Sequence, residues 1–159
     1  MAQLPPEVAE TLENAVKDLV LAFEITVPPI PVELMLQRPK AGMWKEVNVS
    51  ELSTSFINVR QRYSPRMSVG RLLARSICRS EWGDNHKLKG YTENDEMIRA
   101  LARAILVPKS MLDLIPPASR STMAVSMRFE VPEDDARQRL LDLGYMTTGP
   151  LYPKEDLKP

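Results

Sequence analysis

Three arginines at four-residue spacing are the side chains best placed to act on a ligand. Arg71, Arg75 and Arg79 stand at i, i+4 and i+8, so on a helix they share one face. A guanidinium stays protonated at accessible pH and donates hydrogen bonds to carboxylates and phosphates. The spacing predicts an arginine stripe with three possible roles: a solvated helix face, one side of a salt bridge between helices, or an anion pocket.

Other chemically active side chains are scarce. The chain has one histidine, His86, and one cysteine, Cys78. His86 lies in a polar stretch, which predicts a surface loop residue. Cys78 has no histidine to activate it, so we expect a small, partly buried apolar residue and not a nucleophile. The sequence offers no cluster of histidine, cysteine and carboxylate residues for a metal, and we expect no cofactor.

Length and charge set broad limits. The 159 residues suffice for one domain, and 21 basic residues balance 21 acidic ones. That balance gives no overall attraction to nucleic acid or to an anionic membrane. A single cysteine fits a reducing compartment, and no stretch approaches the roughly 20 apolar residues of a membrane span. We therefore expect a cytoplasmic protein that is not embedded in a membrane.

The arginine stripe is predicted to lie on a helix that runs from Ser64 to about Ser80. Its apolar residues recur three and four positions apart, which is typical of an amphipathic helix. The next long helix is predicted to begin with Thr92 as its N-cap and Asp95 at its third position, and to end near Pro108. A turn is predicted at 82–85. Further helices are predicted over 8–23, 31–37, 110–115, 121–128 and 132–143.

The period changes between Met43 and Val59. Apolar and polar residues alternate around Val47 and Val49 and again from Ser55 to Val59, which indicates two short strands, and Met43 to Lys45 is the candidate for a third. We expect an α+β fold, mostly helical, with a small sheet of two to four short strands. Residues 1–146 are predicted to form a single domain, and 147–159 an irregular C-terminal tail.

The last two predicted helices, at about 119–144, resemble a helix-turn-helix pair. In a DNA reader, the N-terminus of the second helix approaches phosphates and bases. Here that N-terminus has Glu133, Asp134 and Asp135, which favour the helix dipole but oppose a polyanion. The charge of this N-terminus therefore opposes nucleic-acid binding through the pair.

Three stretches, in this order, resemble the ImmA/IrrE family of zinc peptidases. Arg66–Arg75 lies where the family has Arg-x-Phe-Thr-Leu-Ala-His-Glu-Leu-Gly-His. Asp95–Pro108 matches a helix of the type Glu-x-x-Ala-Asn-x-Phe-Ala-x-x-Leu-Leu-Met-Pro. Phe129–Tyr145 matches Phe-x-Val-Ser followed by Arg-Leu-x-x-Leu-Gly. The resemblance implies a zincin-like minimal peptidase fold.

The resemblance also implies where a zinc site would be. In the family two histidines ligate zinc and the glutamate between them acts as general base. Those positions hold Arg71, Leu72 and Arg75, and the position of the third ligand falls on Asp95, with Glu96 beside it. Arginine cannot ligate zinc and leucine cannot take a proton. The site is therefore expected to hold no zinc, and a bridge from Arg71 or Arg75 to Asp95 or Glu96 is one prediction for what replaces it.

Three functions follow as expectations. The first is a catalytically inactive peptidase-like protein that binds or regulates a protein partner, for which the resemblance implies a helix-turn-helix repressor. The second is an active hydrolase with relocated or non-zinc chemistry. The third is a DNA-associated regulator that acts through the C-terminal helix pair.

Overall fold

The computed structural model describes residues 4–47 and 62–146, and every regular element within these ranges is a helix. The helices are α1 (Pro6–Ala22), α2 (Val32–Gln37), α3 (Ser64–Cys78), α4 (Glu81–Asn85), α5 (Asp95–Leu106), α6 (Lys109–Leu112), α7 (Thr122–Phe129) and α8 (Glu133–Asp142). Two 3₁₀ turns lie at Lys89–Tyr91 and Pro117–Ser119. The predicted α+β fold with a small sheet is therefore wrong for the described residues, which are all-α.

The segment at 43–47, where one strand was possible, is an irregular chain held by helix ends. The Val47 N–H donates to the carbonyl of Leu36 at 3.2 Å, and the Trp82 N–H donates to the carbonyl of Gly42 at 3.1 Å. Trp44 is buried against the core between these two anchors. The alternation from Val49 to Val59 and the predicted tail at 147–159 lie outside the described residues.

Helix α5 is the central element. It packs against α1, α3 and α8, and it is buried on nearly all sides from Ala100 to Leu106. Six of these seven residues are apolar, which is typical of a helix in the core, and the seventh, Arg103, is buried against Asp135. Its N-cap is Asn94, whose side chain accepts from the Met97 N–H at 3.2 Å, so the cap predicted at Thr92 is wrong and Asp95 is the first helical residue.

A glycine brings α3 and α5 close together. A Cβ at Gly70 would lie 3.0 Å from Cδ1 of Leu106 and 3.9 Å from Cβ of Ala102. Gly70 thus faces the C-terminal half of α5, whereas Arg75, one turn further along α3, reaches Asp95 at the start of α5. The two helices therefore run antiparallel, which determines the pairs of side chains that face each other.

The predicted turn after α3 is the short helix α4. The hydroxyl of Ser80 caps it by accepting from the Gly83 N–H at 3.0 Å. His86, which follows α4, stacks on Trp82 with ring centroids 3.7 Å apart, and its Nε2 lies 3.0 Å from Oδ2 of Asp18 on α1. His86 lies in the turn after α4, as the sequence predicted, but only 21% of its side chain is exposed because it joins α4 to α1.

The C-terminal helices α7 and α8 pack against each other, as a helix-turn-helix pair does. Glu130 lies between them with φ of 57°, and the chain leaves α8 at Gly144 with φ of 75°. The apolar residues of both helices join one core cluster that also includes α1, α3 and α5. Within residues 4–47 and 62–146, no helix is long and apolar enough to cross a bilayer.

Candidate functional site

A cleft of about 480 Å³ lies between α3 and the first half of α5. Its lining consists of Ser68, Arg71, Leu72, Arg75, Asp95, Glu96, Ile98 and Arg99. The structure thus brings together two arginines of the arginine stripe, Leu72 and both carboxylates singled out in the sequence. Arg79 lies one turn beyond, outside the lining.

Two arginines of the stripe have carboxylates opposite them. Nη2 of Arg75 lies 3.1 Å from Oδ1 of Asp95, and Nη2 of Arg79 lies 3.9 Å from Oε1 of Glu93. The side chains of Asp95 and Glu93 are 93% and 89% exposed. Solvent screens such pairs, so each contributes about 0–1 kcal/mol to stability. They nevertheless compensate the charges of Arg75 and Arg79 locally.

Arg71 has no such partner. Its Nη2 donates a long hydrogen bond of 3.4 Å to the hydroxyl of Ser68, and no carboxylate in residues 4–47 or 62–146 forms an ion pair with it. Burial lowers the pKa of the Arg71 guanidinium and the positive charge of Arg99 lowers it further, while the negative charges of Asp135 and Asp95 oppose this only in part. The group still stays protonated. Arg71 is therefore a half-buried cation with another cation beside it.

Arg99, on α5, is held from behind by Asp135 of α8. Its Nε and Nη2 donate to the two carboxylate oxygens of Asp135 at 3.0 and 3.1 Å, a bidentate pair. Arg103 donates to the same carboxylate at 2.9 Å. Asp135 is 1% exposed, whereas 39% of the Arg99 side chain is exposed. This pairing fixes the orientation of Arg99 and leaves its Nη1 for another acceptor.

The sequence reading missed Asp135 and Arg99 as site residues. In the sequence, Asp135 is one of three acids that complement the dipole of α8. In the structure Glu133 and Asp134 are exposed, whereas Asp135 is buried. The signal that could have found it is the spacing of Asp135 and Arg139, which lie at i and i+4 on the buried face of α8.

The chemistry available in the cleft is that of charge and hydrogen bonding. Leu72 offers no exchangeable proton. Cys78 is buried, and burial raises the pKa of its thiol to about 11, so it is not a thiolate at neutral pH. The described part of the chain has no group of three histidine, cysteine or carboxylate residues that could hold a metal ion. The cleft can bind an ion or a hydrogen-bonding group through its guanidinium donors.

Comparison with known proteins gives no relative. No protein-family model matches the chain, and neither a curated protein nor a solved structure is significantly similar to it. The resemblance to ImmA/IrrE peptidases therefore stays a prediction from the sequence.

Proposed function

We propose that this protein is a non-catalytic binding module, and that its cleft between α3 and α5 binds an acidic group of a protein partner. The observation that carries this proposal is the state of Arg71. It is a half-buried guanidinium in a cleft with a second guanidinium, that of Arg99, and no carboxylate of the described residues forms an ion pair with it, although the charges of Asp135 and Asp95 act on it from further away.

Charge explains why an anion belongs there. A cation that is partly removed from water loses hydration, and a nearby like charge adds repulsion. An anion placed between Arg71 and Arg99 offsets both costs and accepts charge-assisted hydrogen bonds, which are about twice as strong as neutral ones. Arg75 already has a carboxylate opposite it, so Arg71 is the residue that gains most from a ligand.

The peptidase resemblance is a further part of the proposal. If the chain is an inactive ImmA/IrrE relative, the positions of its lost ligands and base would be Arg71, Leu72, Arg75 and Asp95. All four line one cleft, which supports the proposal that an anion site occupies the place of a metal site. A helix-turn-helix repressor as the partner, and a cytoplasmic location, rest on the sequence alone.

The experiment is a titration of the full chain with acetate, followed through the arginine Nε–Hε resonances by NMR. We expect saturable shifts at Arg71 and Arg99, because a bound anion adds an acceptor to both guanidinium groups. Arg79 provides the internal control, since it lies outside the cleft on the same helix face.

Sodium chloride at matched ionic strength separates binding from screening, which affects all exposed charges alike. Equal shifts at all three arginines, or none at Arg71, would contradict the proposal. Loss of the saturable shift at Arg99 in an Arg71→Ala variant is the expected confirmation that the two groups share one anion.

A further inference from the structure

The cleft also contains a carboxylate without a partner. Glu96, in the first turn of α5, lines the same cavity as Arg71 and is exposed. No cation among the described residues forms an ion pair with it, although Asp95 beside it is paired with Arg75. The cleft therefore has one unpaired positive group and one unpaired negative group.

The charge of the lining limits what can bind. With Arg103 and Asp135 behind Arg99 included, four guanidinium groups stand against three carboxylates, those of Asp95, Glu96 and Asp135, which leaves a surplus of one positive charge. One carboxylate group matches this surplus. A dianion or a run of acidic groups would exceed it.

The exposed acidic residues at the edge of the cleft add a second restriction on the ligand. Asp95 is 93% exposed, and Glu96 is exposed as well. These two acidic residues at the start of α5 repel an approaching polyanion such as nucleic acid or an acidic tract, because like charges at an interface are unfavourable. They attract a cation instead.

We infer that the cleft selects a peptide segment in which one acidic residue lies next to a basic residue. The acidic carboxylate accepts hydrogen bonds from Arg71 and Arg99, and the basic side chain lies against Glu96. This inference rests on the proposed function, because it specifies the partner of the same cleft. Specificity arises from both attraction and repulsion, as in other selective interfaces.

The test uses peptides that differ only around a central glutamate, measured with the full chain by isothermal titration calorimetry at fixed low ionic strength. The glutamate is flanked by lysines, by alanines or by glutamates, and a fourth peptide has lysine flanks around a central glutamine. We expect the lysine-flanked glutamate to bind tightest and the glutamate-flanked one weakest. An exposed ion pair predicts a preference of about two- to fivefold for lysine over alanine flanks.

Two variants locate the source of this preference. Glu96→Gln should abolish the preference for lysine over alanine flanks, measured as the ratio of the two Kd values within the same variant. Glu93→Gln is the matched control, because Glu93 is also exposed but lies outside the lining, and it should keep the preference.

The outcomes separate the two proposals. If every glutamate peptide binds equally, or the glutamate-flanked peptide binds tightest, the inferred selection is overturned while the anion site stands. If the peptide with central glutamine binds as well as its glutamate counterpart, or no peptide binds, the proposed function itself fails. A Glu93→Gln variant that loses the preference as Glu96→Gln does would also overturn the role assigned to Glu96.

Discussion

Arg71 and Arg99 belong to the same cleft but are held differently. Arg99 is fixed by two hydrogen bonds to the buried carboxylate of Asp135, whereas Arg71 has one long hydrogen bond to Ser68. A bound ligand would therefore restrict the side chain of Arg71, whereas Arg99 is already oriented before the ligand binds. Pre-orientation lowers the entropic cost of binding, so Asp135 contributes to the site through Arg99 without facing the ligand.

Asp135 should be essential to stability. In Asp135→Asn the guanidinium groups of Arg99 and Arg103 lose the charge that compensates them, and Arg103 is 7% exposed. Breaking a buried ion pair costs roughly 3–5 kcal/mol, and we expect about 3 kcal/mol here because Arg99 still reaches solvent. Urea denaturation measures the change.

Asp134→Asn is the matched control, since the neighbouring carboxylate is exposed. Its free energy of unfolding should stay within about 0.5 kcal/mol of the unmodified protein. Similar losses in both variants would mean that the buried pairing does not have the assigned role.

Asp142 should make stability depend on pH. Burial raises the pKa of its carboxyl, although the Gln138 amide and the charges of Arg103 and Arg139 oppose this. A raised pKa means that the folded state holds the proton to higher pH than the unfolded state. The contribution to stability is thus complete below the unfolded pKa of about 3.9 and is lost as pH rises through the folded value.

Asparagine at position 142 cannot ionise. The free energy of unfolding of Asp142→Asn, measured relative to the unmodified protein, should therefore rise between about pH 3.5 and pH 7. Urea denaturation over this range gives the difference directly. A difference that is constant with pH, or that falls, would show that the surroundings of Asp142 do not raise the pKa of its carboxyl.

Helices were predictable because their apolar residues recur at three and four positions, and α1, α2, α3 and α8 begin and end close to where the sequence placed them. Their exact ends depend on competing caps: Thr92 and Asn94 both suit an N-cap, and only the fold selects Asn94. The prediction of a strand near Met43 is wrong because a short strand needs a neighbouring strand to pair with. Here residues at the ends of helices form the backbone hydrogen bonds of this segment instead.

The junction of α3 and α4 depends on the absence of a side chain at Gly83. A Cβ there would lie 1.9 Å from the carbonyl oxygen of Ile77, so backbone would have to move. We expect Gly83→Ala to lower the free energy of unfolding by about 2–3 kcal/mol, measured by thermal or urea denaturation.

Gly90→Ala provides the comparison for the same change in volume. No atom lies within 4 Å of a Cβ at Gly90, so its effect should stay within about 0.5 kcal/mol. Equal effects of the two substitutions would contradict the close approach of α4 to α3.

At the scale of the whole molecule, 21 basic residues balance 21 acidic ones, but the charged side chains are grouped locally into the cleft and the pairs behind it. Sequence reasoning could place the arginine stripe on a helix and name Asp95 and Glu96 as candidate neighbours. It could not identify Asp135 as the acid behind Arg99, since burial of one first-turn acid among three is decided by how α8 packs on α5.

Under the proposed function, neither the fold nor the binding of an anion would require a metal. We expect purified protein to contain well below one zinc per chain by elemental analysis, and its melting temperature to be unchanged by a chelator, because structural zinc contributes directly to folding free energy. Stoichiometric zinc, or a melting temperature lowered by the chelator, would contradict this account and favour the alternative of relocated hydrolytic chemistry.

The most direct test of the anion site compares Arg71→Ala with Arg79→Ala in binding the alanine-flanked glutamate peptide by calorimetry. Both substitutions remove one guanidinium from the same face of α3, but only Arg71 lines the cleft. We predict that Arg71→Ala weakens binding by about tenfold or more, since a charge-assisted contact is lost, while Arg79→Ala changes Kd by less than about twofold. Equal weakening by both, or none by Arg71→Ala, would contradict the proposal.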